Sequence, residues 1–257
     1  MITLTGTFTG STADSTTTGG RPPARSAARP AIILGGIIWA AATLQYAIVQ
    51  IVVASGWHHP SYSWLNNYIS DLGNTACGRF TVPHGTPAYV CSPMHSAMNA
   101  SFIIAGILTI AGAILLRRFW PRSRGTTAAL VLWVITGLGK IAVGLVPENT
   151  NIDLHLLAAF NVPVGCVAIL LLSLPARQPS RAVSLTGIVL AVVGLAATAL
   201  STAAEFASNS SLDLGLRAGG MERLADYPGA LWILMIGIIA VLSAGAHAGH
   251  HAAPRSR

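Results

Sequence analysis

Six apolar runs of membrane-spanning length, separated by charged or polar stretches, constrain this chain more than any other feature in it. They lie at approximately residues 30–54, 93–116, 126–146, 154–176, 182–204 and 229–246. Each is close to the roughly 20 residues a helix needs to cross about 30 Å of hydrocarbon. In lipid the backbone must satisfy its own hydrogen bonds, which leaves the helix as the form for such runs. The expected fold is therefore all-α, a polytopic membrane helical bundle of six transmembrane helices. A chain that is 53% hydrophobic and 9% charged, with a mean hydropathy of +0.62, is too apolar for a soluble globular domain.

The basic balance, net +7 with a pI near 10.0, raises nucleic acid as a partner. The arginines flank the apolar runs instead of forming a face with interleaved aromatics, so no nucleic-acid partner is expected. Their distribution sets orientation instead. Arg21, Arg25 and Arg29 precede the first run; Arg117, Arg118, Arg122 and Arg124 divide the second and third; Arg177 and Arg181 divide the fourth and fifth; Arg255 and Arg257 follow the sixth. The positive-inside rule places these ends in the cytoplasm together with both termini. Seven of the eight acids, Asp71, Glu148, Asp153, Glu205, Asp213, Glu222 and Asp226, fall on the opposite side, and Asp14 is the exception. Lys140 is the one lysine beside fourteen arginines in an Ala- and Gly-rich chain, a composition that suits a GC-rich bacterial genome and a plasma (inner) membrane location.

Residues 1–29 are Thr/Ser/Gly-rich and then Arg/Pro-rich without apolar periodicity, and read as a disordered cytoplasmic tail. Residues 30–246 form the six-helix domain and residues 247–257 a second cytoplasmic tail. The first apolar run, about 25 residues, exceeds the roughly 7 to 15 of a signal-peptide core and reads as an anchor. The basic connections "RRFWPRSRG" and "ARQPSR" are short, so the helices they join should be antiparallel neighbours. On the other side the connections at 55–92, 147–153 and 205–228 are longer or more polar, and function is expected there. Glycines recurring inside the runs read as close helix contacts.

Within the first outer loop, "SWLNNYISDLGN" has helical spacing: Trp64, Leu65, Tyr68, Ile69 and Leu72 share one face, and Asn67, Ser70 and Asp71 the other. A short amphipathic helix is expected. Either it lies at the membrane interface with a solvated polar face, or its polar face turns toward the bundle and lines a pocket. Cys77 and Cys91 bracket a loop of about 15 residues in an oxidising compartment, and a disulfide there is expected to contribute about 3 kcal/mol. Cys166, inside the fourth run, reads as a small buried apolar residue.

The candidate polar cluster comprises Asn67, Ser70, Asp71, His95, Asn99, Lys140, Glu148, His155 and Glu205. His95 and Asn99 are four apart at the start of the second run, and Glu148 and His155 flank the short loop that carries Asp153. Lys140 lies about seven residues, roughly 10 Å, below the outer end of the third helix. A charge at that depth pairs or snorkels. Its expected partners are Glu148, Glu205 or Asp71, and the alternative is a cation for an anionic headgroup. The His and acid side chains could supply metal ligands, but no H-E-x-x-H, C-x-x-C or E-x-x-H spacing occurs, so no metal or other cofactor is expected.

Four segments in order, "NNYISDLG", "SPMHSAMNASFIIAGI", "VPENTNIDLHLLAA" and "GGMERLADYPGALW", resemble the bacterial domain-of-unknown-function family 998 (DUF-998), over about residues 31–246. The resemblance implies a multi-helix integral membrane protein. It places the family's polar signature on Ser70, Asp71, Gly73, Asn99, Pro147, Asn149, His155, Glu222, Arg223 and Pro228, and implies no reaction. The function expected from the residues is binding of a lipid, small solute or membrane partner at an extracytoplasmic polar cluster, with membrane lipids as partners and any protein partner unspecified. The alternative is a membrane enzyme acting on a lipid or envelope precursor through Asp, Glu and His groups. Transport would need broken helices or midplane charges, for which Lys140 is the one charged candidate.

Overall fold

Three of the helices start where a small polar residue ends a polar connection. Ser123, Ser180 and Asn151 each turn a side-chain oxygen back onto an early amide of the helix that follows, at 3.1 Å from Thr126 N, 3.2 Å from Val183 N and 3.1 Å from Leu154 N. Each satisfies one of the amides a helix start leaves without an intrahelical partner. In a computed structural model of the chain, described over residues 24–83, 85, 87–174, 177–207 and 210–249, the helices are α1 (Ala24–Ser55), α2 (His95–Leu115), α3 (Arg124–Leu145), α4 (Ile152–Ala159), α5 (Asn161–Leu172), α6 (Arg181–Phe206) and α7 (Arg217–Gly249). Among the described residues six helical segments are long and apolar enough to span a membrane, the fourth being Ile152–Leu172. Of the expected tails at 1–29 and 247–257, residues 1–23 and 250–257 lie outside the described residues, while α1 already begins at Ala24 and α7 runs on to Gly249.

The spans close into a ring. α1 packs on α2 and α7, α3 on α2 and α5, and α6 on α5 and α7. The expected neighbours across the two basic connections, α2 with α3 and α5 with α6, are in contact. Small residues set the tightest crossings: a Cβ on Gly137 would meet the Gly106 carbonyl at 2.7 Å, and one on Gly237 the Gly36 carbonyl at 2.6 Å. Large apolar side chains such as Leu34, Ile37, Leu44, Ile48 and Ile51 of α1, or Leu185, Val189 and Val192 of α6, stand exposed on the outside of the ring, as a lipid-facing surface requires.

Inside the ring are two main apolar clusters. At the arginine-rich end, Trp39 packs against Trp120, Trp133 and Trp232 with ring centroids 5.5–5.9 Å apart. At the loop end, Trp57, Tyr62, Ile69 and Leu72 of the first loop pack on Val53, Met98 and Phe102.

Two stretches depart from the expected helix boundaries. The fourth span is broken at Phe160, three residues before Pro163, which has no amide to continue the ladder. The sixth span starts earlier than expected: the segment read as a loop up to residue 228 is helical from Arg217, and Pro228 lies inside α7. Met221 and Ala225 are buried there, and that packing carries the helix through the proline. The third loop therefore shrinks, and Glu222, Arg223 and Asp226 move onto a helix face.

Candidate functional site

The first loop folds over the end of the ring. Its hairpin, β1 (Gly78–Phe80) with β2 (Ala88–Val90), pairs Gly78 with Val90, and the Cys77–Cys91 disulfide closes it one residue further on. The expected amphipathic helix is present as a short 3-10 helix, Ser70–Gly73, preceded by turns. It is not an interfacial anchor with a solvated polar face: Ile69 and Leu72 are buried on one side and the polar residues on the other. Asp71 is 2% exposed and Asn67 and Ser70 are buried, whereas Trp64 and Leu65 are more than 40% exposed. The polar face turns inward because the bundle offers it partners there.

Two carboxyls meet at the centre of the loop end. Asp71 Oδ2 accepts from Tyr68 N at 2.9 Å and from Asn67 Nδ2 at 3.1 Å. Glu148 accepts from Ser70 Oγ at 2.8 Å and from Asn74 Nδ2 at 2.9 Å. Burial first, and then the neighbouring Asp71 carboxyl, push the Glu148 carboxyl well above the usual carboxylate range. A third acid, Glu222 of α7, accepts from Ile69 N, the amide next to the one that Asp71 holds.

Arg223 fastens the loop to α7. Its Nη1 donates to the carbonyls of Gly219 at 2.7 Å, Trp64 at 2.9 Å and Asn67 at 3.0 Å, and its Nη2 donates to the Tyr62 hydroxyl. The guanidinium also lies over the Trp64 ring at 4.9 Å.

Between the hairpin and the ends of α6 and α7 lies a cleft of about 610 Å³. Asn66, Tyr68, Asp71, Glu205, Asp213 and Arg217 supply its polar wall, and Phe80, Val82 and Met221 part of its apolar one. The Tyr68 hydroxyl donates to Glu205 Oε1 at 2.8 Å. Burial and the Glu205 charge raise the Tyr68 phenol, so it stays a neutral donor. Arg217 reaches Asn66 Oδ1 at 3.2 Å.

Of the residues singled out in the sequence, Asn67, Ser70, Asp71 and Glu148 come together, and Glu205 joins the cleft wall. Asn99 supports the group from below, donating to the Gly73 carbonyl at 2.9 Å. The two histidines stay apart from the carboxyls: His95 Nδ1 lies 3.0 Å from the Ser92 carbonyl, and His155 Nδ1 lies 2.7 Å from that of Val146. Lys140 does not pair with Glu148, Glu205 or Asp71; its Nζ is 3.3 Å from Asp226 Oδ1, because α7 continues helically past the expected loop and brings that acid down to it. Among the described residues no group of three or more His, Cys, Asp or Glu side chains is placed to hold a metal ion. The candidate cluster read from the residues omitted Asn74, Glu222, Arg223 and Asp226, although the family resemblance pointed to Glu222 and Arg223. For Asp226 the available signal was its i, i+4 spacing from Glu222, which aligns the two only if the segment is helical.

A ring of six apolar spans capped at one end by a buried polar network defines a multi-pass membrane protein with its polar chemistry in the first loop and α7. The chain belongs to the DUF998 family, described as a protein of unknown function, whose model matches residues 33–239. Neither a curated protein nor a solved structure matches it.

Proposed function

We propose that the protein is a binding protein of the bacterial plasma membrane, with both termini cytoplasmic, and that its loop-end cleft receives the headgroup of a membrane lipid or a small polar solute. The observation that carries this reading is the cleft itself: about 610 Å³, within the roughly 300–1,000 Å³ of ligand pockets, with apolar and polar walls and a floor of inward-turned Asp71. Asp71, Glu205 and Asp213 outnumber Arg217, so the wall favours a ligand that carries an ammonium group. Ser201 and Ala204 of α6, a helix with lipid-facing Val189 and Val192, also line it, which suits a headgroup arriving from the bilayer.

The test is native mass spectrometry of the purified protein with phosphatidylethanolamine, phosphatidylglycerol and cardiolipin. Retained phosphatidylethanolamine that falls by about tenfold in Glu205→Gln or Asp213→Asn, equivalent to about 1.4 kcal/mol, supports the reading. Equal retention of all three lipids by wild type and variants overturns it.

One observation favours a second reading, an enzyme acting on a lipid or envelope precursor. Asp71 and Glu148 form a carboxyl pair in which burial and the Asp71 charge push Glu148 toward its protonated form, the arrangement that general acid–base chemistry uses. Lipid and envelope profiles of cells with wild-type protein, with Asp71→Asn, and without the protein test it. An Asp71→Asn profile equal to that of cells lacking the protein, with the variant folded in detergent, supports an enzyme; unchanged profiles remove it.

A further inference from the structure

Below the polar loop network, where α1, α2, α3, α5 and α7 meet, lies a second, partly open cavity of about 40 Å³. It is large enough for water and far too small for a lipid or a solute. Lys140 and Asp226 line it together with Thr43, Thr136 and Asn161. The Asp226 side chain is 10% exposed; its Oδ1 faces Lys140 at 3.3 Å, and its Oδ2 is buried with no protein partner. Both helix irregularities of the bundle border this point: α5 starts at the break at Phe160, and α7 carries Pro228 two residues after Asp226. α7 stays helical through that proline and only the fourth span is interrupted; an interrupted span beside an intramembrane charge is a feature that marks ion sites in membrane proteins.

We infer that Asp226 is a proton-binding site inside the membrane, loaded from the loop end through Glu222 and closed toward the arginine-rich end. The route is set by position. Asp71 forms part of the cleft wall, and Asp71 and Glu222 accept from the consecutive amides of Tyr68 and Ile69. Glu222 and Asp226 are one turn apart on α7, about 6 Å along its axis. Past the cavity the path ends at the tryptophan cluster, in which Trp133 and Trp232 stack at 5.5 Å. A proton that enters adds to Asp226 Oδ2, so the pair changes from a neutral Lys⁺/Asp⁻ couple to a single positive charge. Lys140 survives that loss of its counter-ion because its Nζ also lies 3.9 Å from the Tyr46 ring centroid, whose face attracts a cation.

The ionisable groups around Asp226 are Lys140 from α3, Tyr46 from α1, Cys166 from α5, and Glu222 and Tyr227 from α7; α2 lines the cavity with Ala105 and Thr109. Lys140, 3.3 Å from the other oxygen of the same carboxyl, opposes a metal cation outright; it also favours the carboxylate over the acid, so loading a proton requires acidification.

Infrared difference spectra of the full-length protein in lipid vesicles, neutral against acidic, test the inference. Acidification is expected to produce a deuterium-sensitive carboxylic C=O band that Asp226→Asn abolishes. Asp226→Asn presents Lys140 with the same neutral neighbour as the loaded site and is expected to fold; K140M/D226N, which removes both charges, is the second variant, and it too is expected to fold and to lack the band. Glu222→Gln retains the band but acquires it more slowly, by about tenfold or more, after an acid jump. The inference fails if no acid-induced band distinguishes wild type from both Asp226 variants, or if Glu222→Gln loads as fast as wild type. It also fails if sodium at constant pH produces the same change, or if the vesicles show a steady proton leak that Asp226→Asn stops.

Discussion

Glu148 illustrates how a polar residue survives inside this chain. Every acceptor it presents is met by a short side chain of the first loop, Ser70 or Asn74, and the cost of its charge is reduced by keeping the proton. Its folded-state pKa is raised, so the folded state holds a proton that the unfolded one releases. Stability is then fullest below the ordinary value of 4.5 and falls as pH rises through the folded value. Glu148→Gln, which mimics the protonated form, should leave the thermal midpoint at acidic pH nearly unchanged and flatten its decline toward neutral pH, measured by melting in detergent. Arg223 gives the opposite kind of prediction. Its planar fork serves three carbonyls and a phenol, a geometry an ammonium cannot reproduce, so Arg223→Lys should destabilise the folded protein by about 2–3 kcal/mol and loosen the loop to protease.

Among the elements, the first loop depends on its cross-link and the ring on its glycines. The β1/β2 hairpin has three residue pairs and no sheet behind it, too little to be stable alone. Replacing Cys77 and Cys91 by Ser should cost about 3 kcal/mol and expose the loop, read as a lower melting midpoint and faster proteolysis between residues 78 and 90. In the ring, Gly137 lies against the Gly106 backbone, where a side chain has no way to bend aside. Gly137→Leu should therefore separate α2 from α3 and abolish recovery of folded protein from membranes, whereas Gly229→Ala, where a Cβ meets nothing within 4 Å, should be tolerated.

For the whole molecule, the native cysteines provide a simple test of orientation. Cys77 and Cys91 are bonded to each other and Cys166 is buried, so an introduced thiol is the reactive one among the described residues. With the termini in the cytoplasm, Ser61→Cys in intact cells should react with a membrane-impermeant maleimide and Arg122→Cys should not; the reverse pattern inverts the topology. Both positions are exposed, at opposite ends of the ring.

Much of the architecture was legible in the chain. The span lengths follow from hydrocarbon thickness, the first two outer loops and the two loop cysteines are written in order, and each is a local property that residue counting recovers. The inward turn of Asn67, Ser70 and Asp71 was present only as one of two readings, and the pairing of Lys140 with Asp226 was not present at all. In a soluble protein the apolar stripe of a helix marks its inner face, but in lipid both faces are apolar, so the sequence does not record how a span is rotated or which neighbour it meets. Whether residues 217–228 form a loop or a helix was equally hidden, because their helical form depends on burying Met221 and Ala225 against other spans. Sequence alone determined that this chain has six spans, with all but one of its acids gathered at the end opposite most of its arginines. Only tertiary packing decided that Asn67, Ser70 and Asp71 point inward, that three carboxyls converge beneath the first loop, and that a fourth faces Lys140 within the membrane, since each rests on partners far apart in the chain.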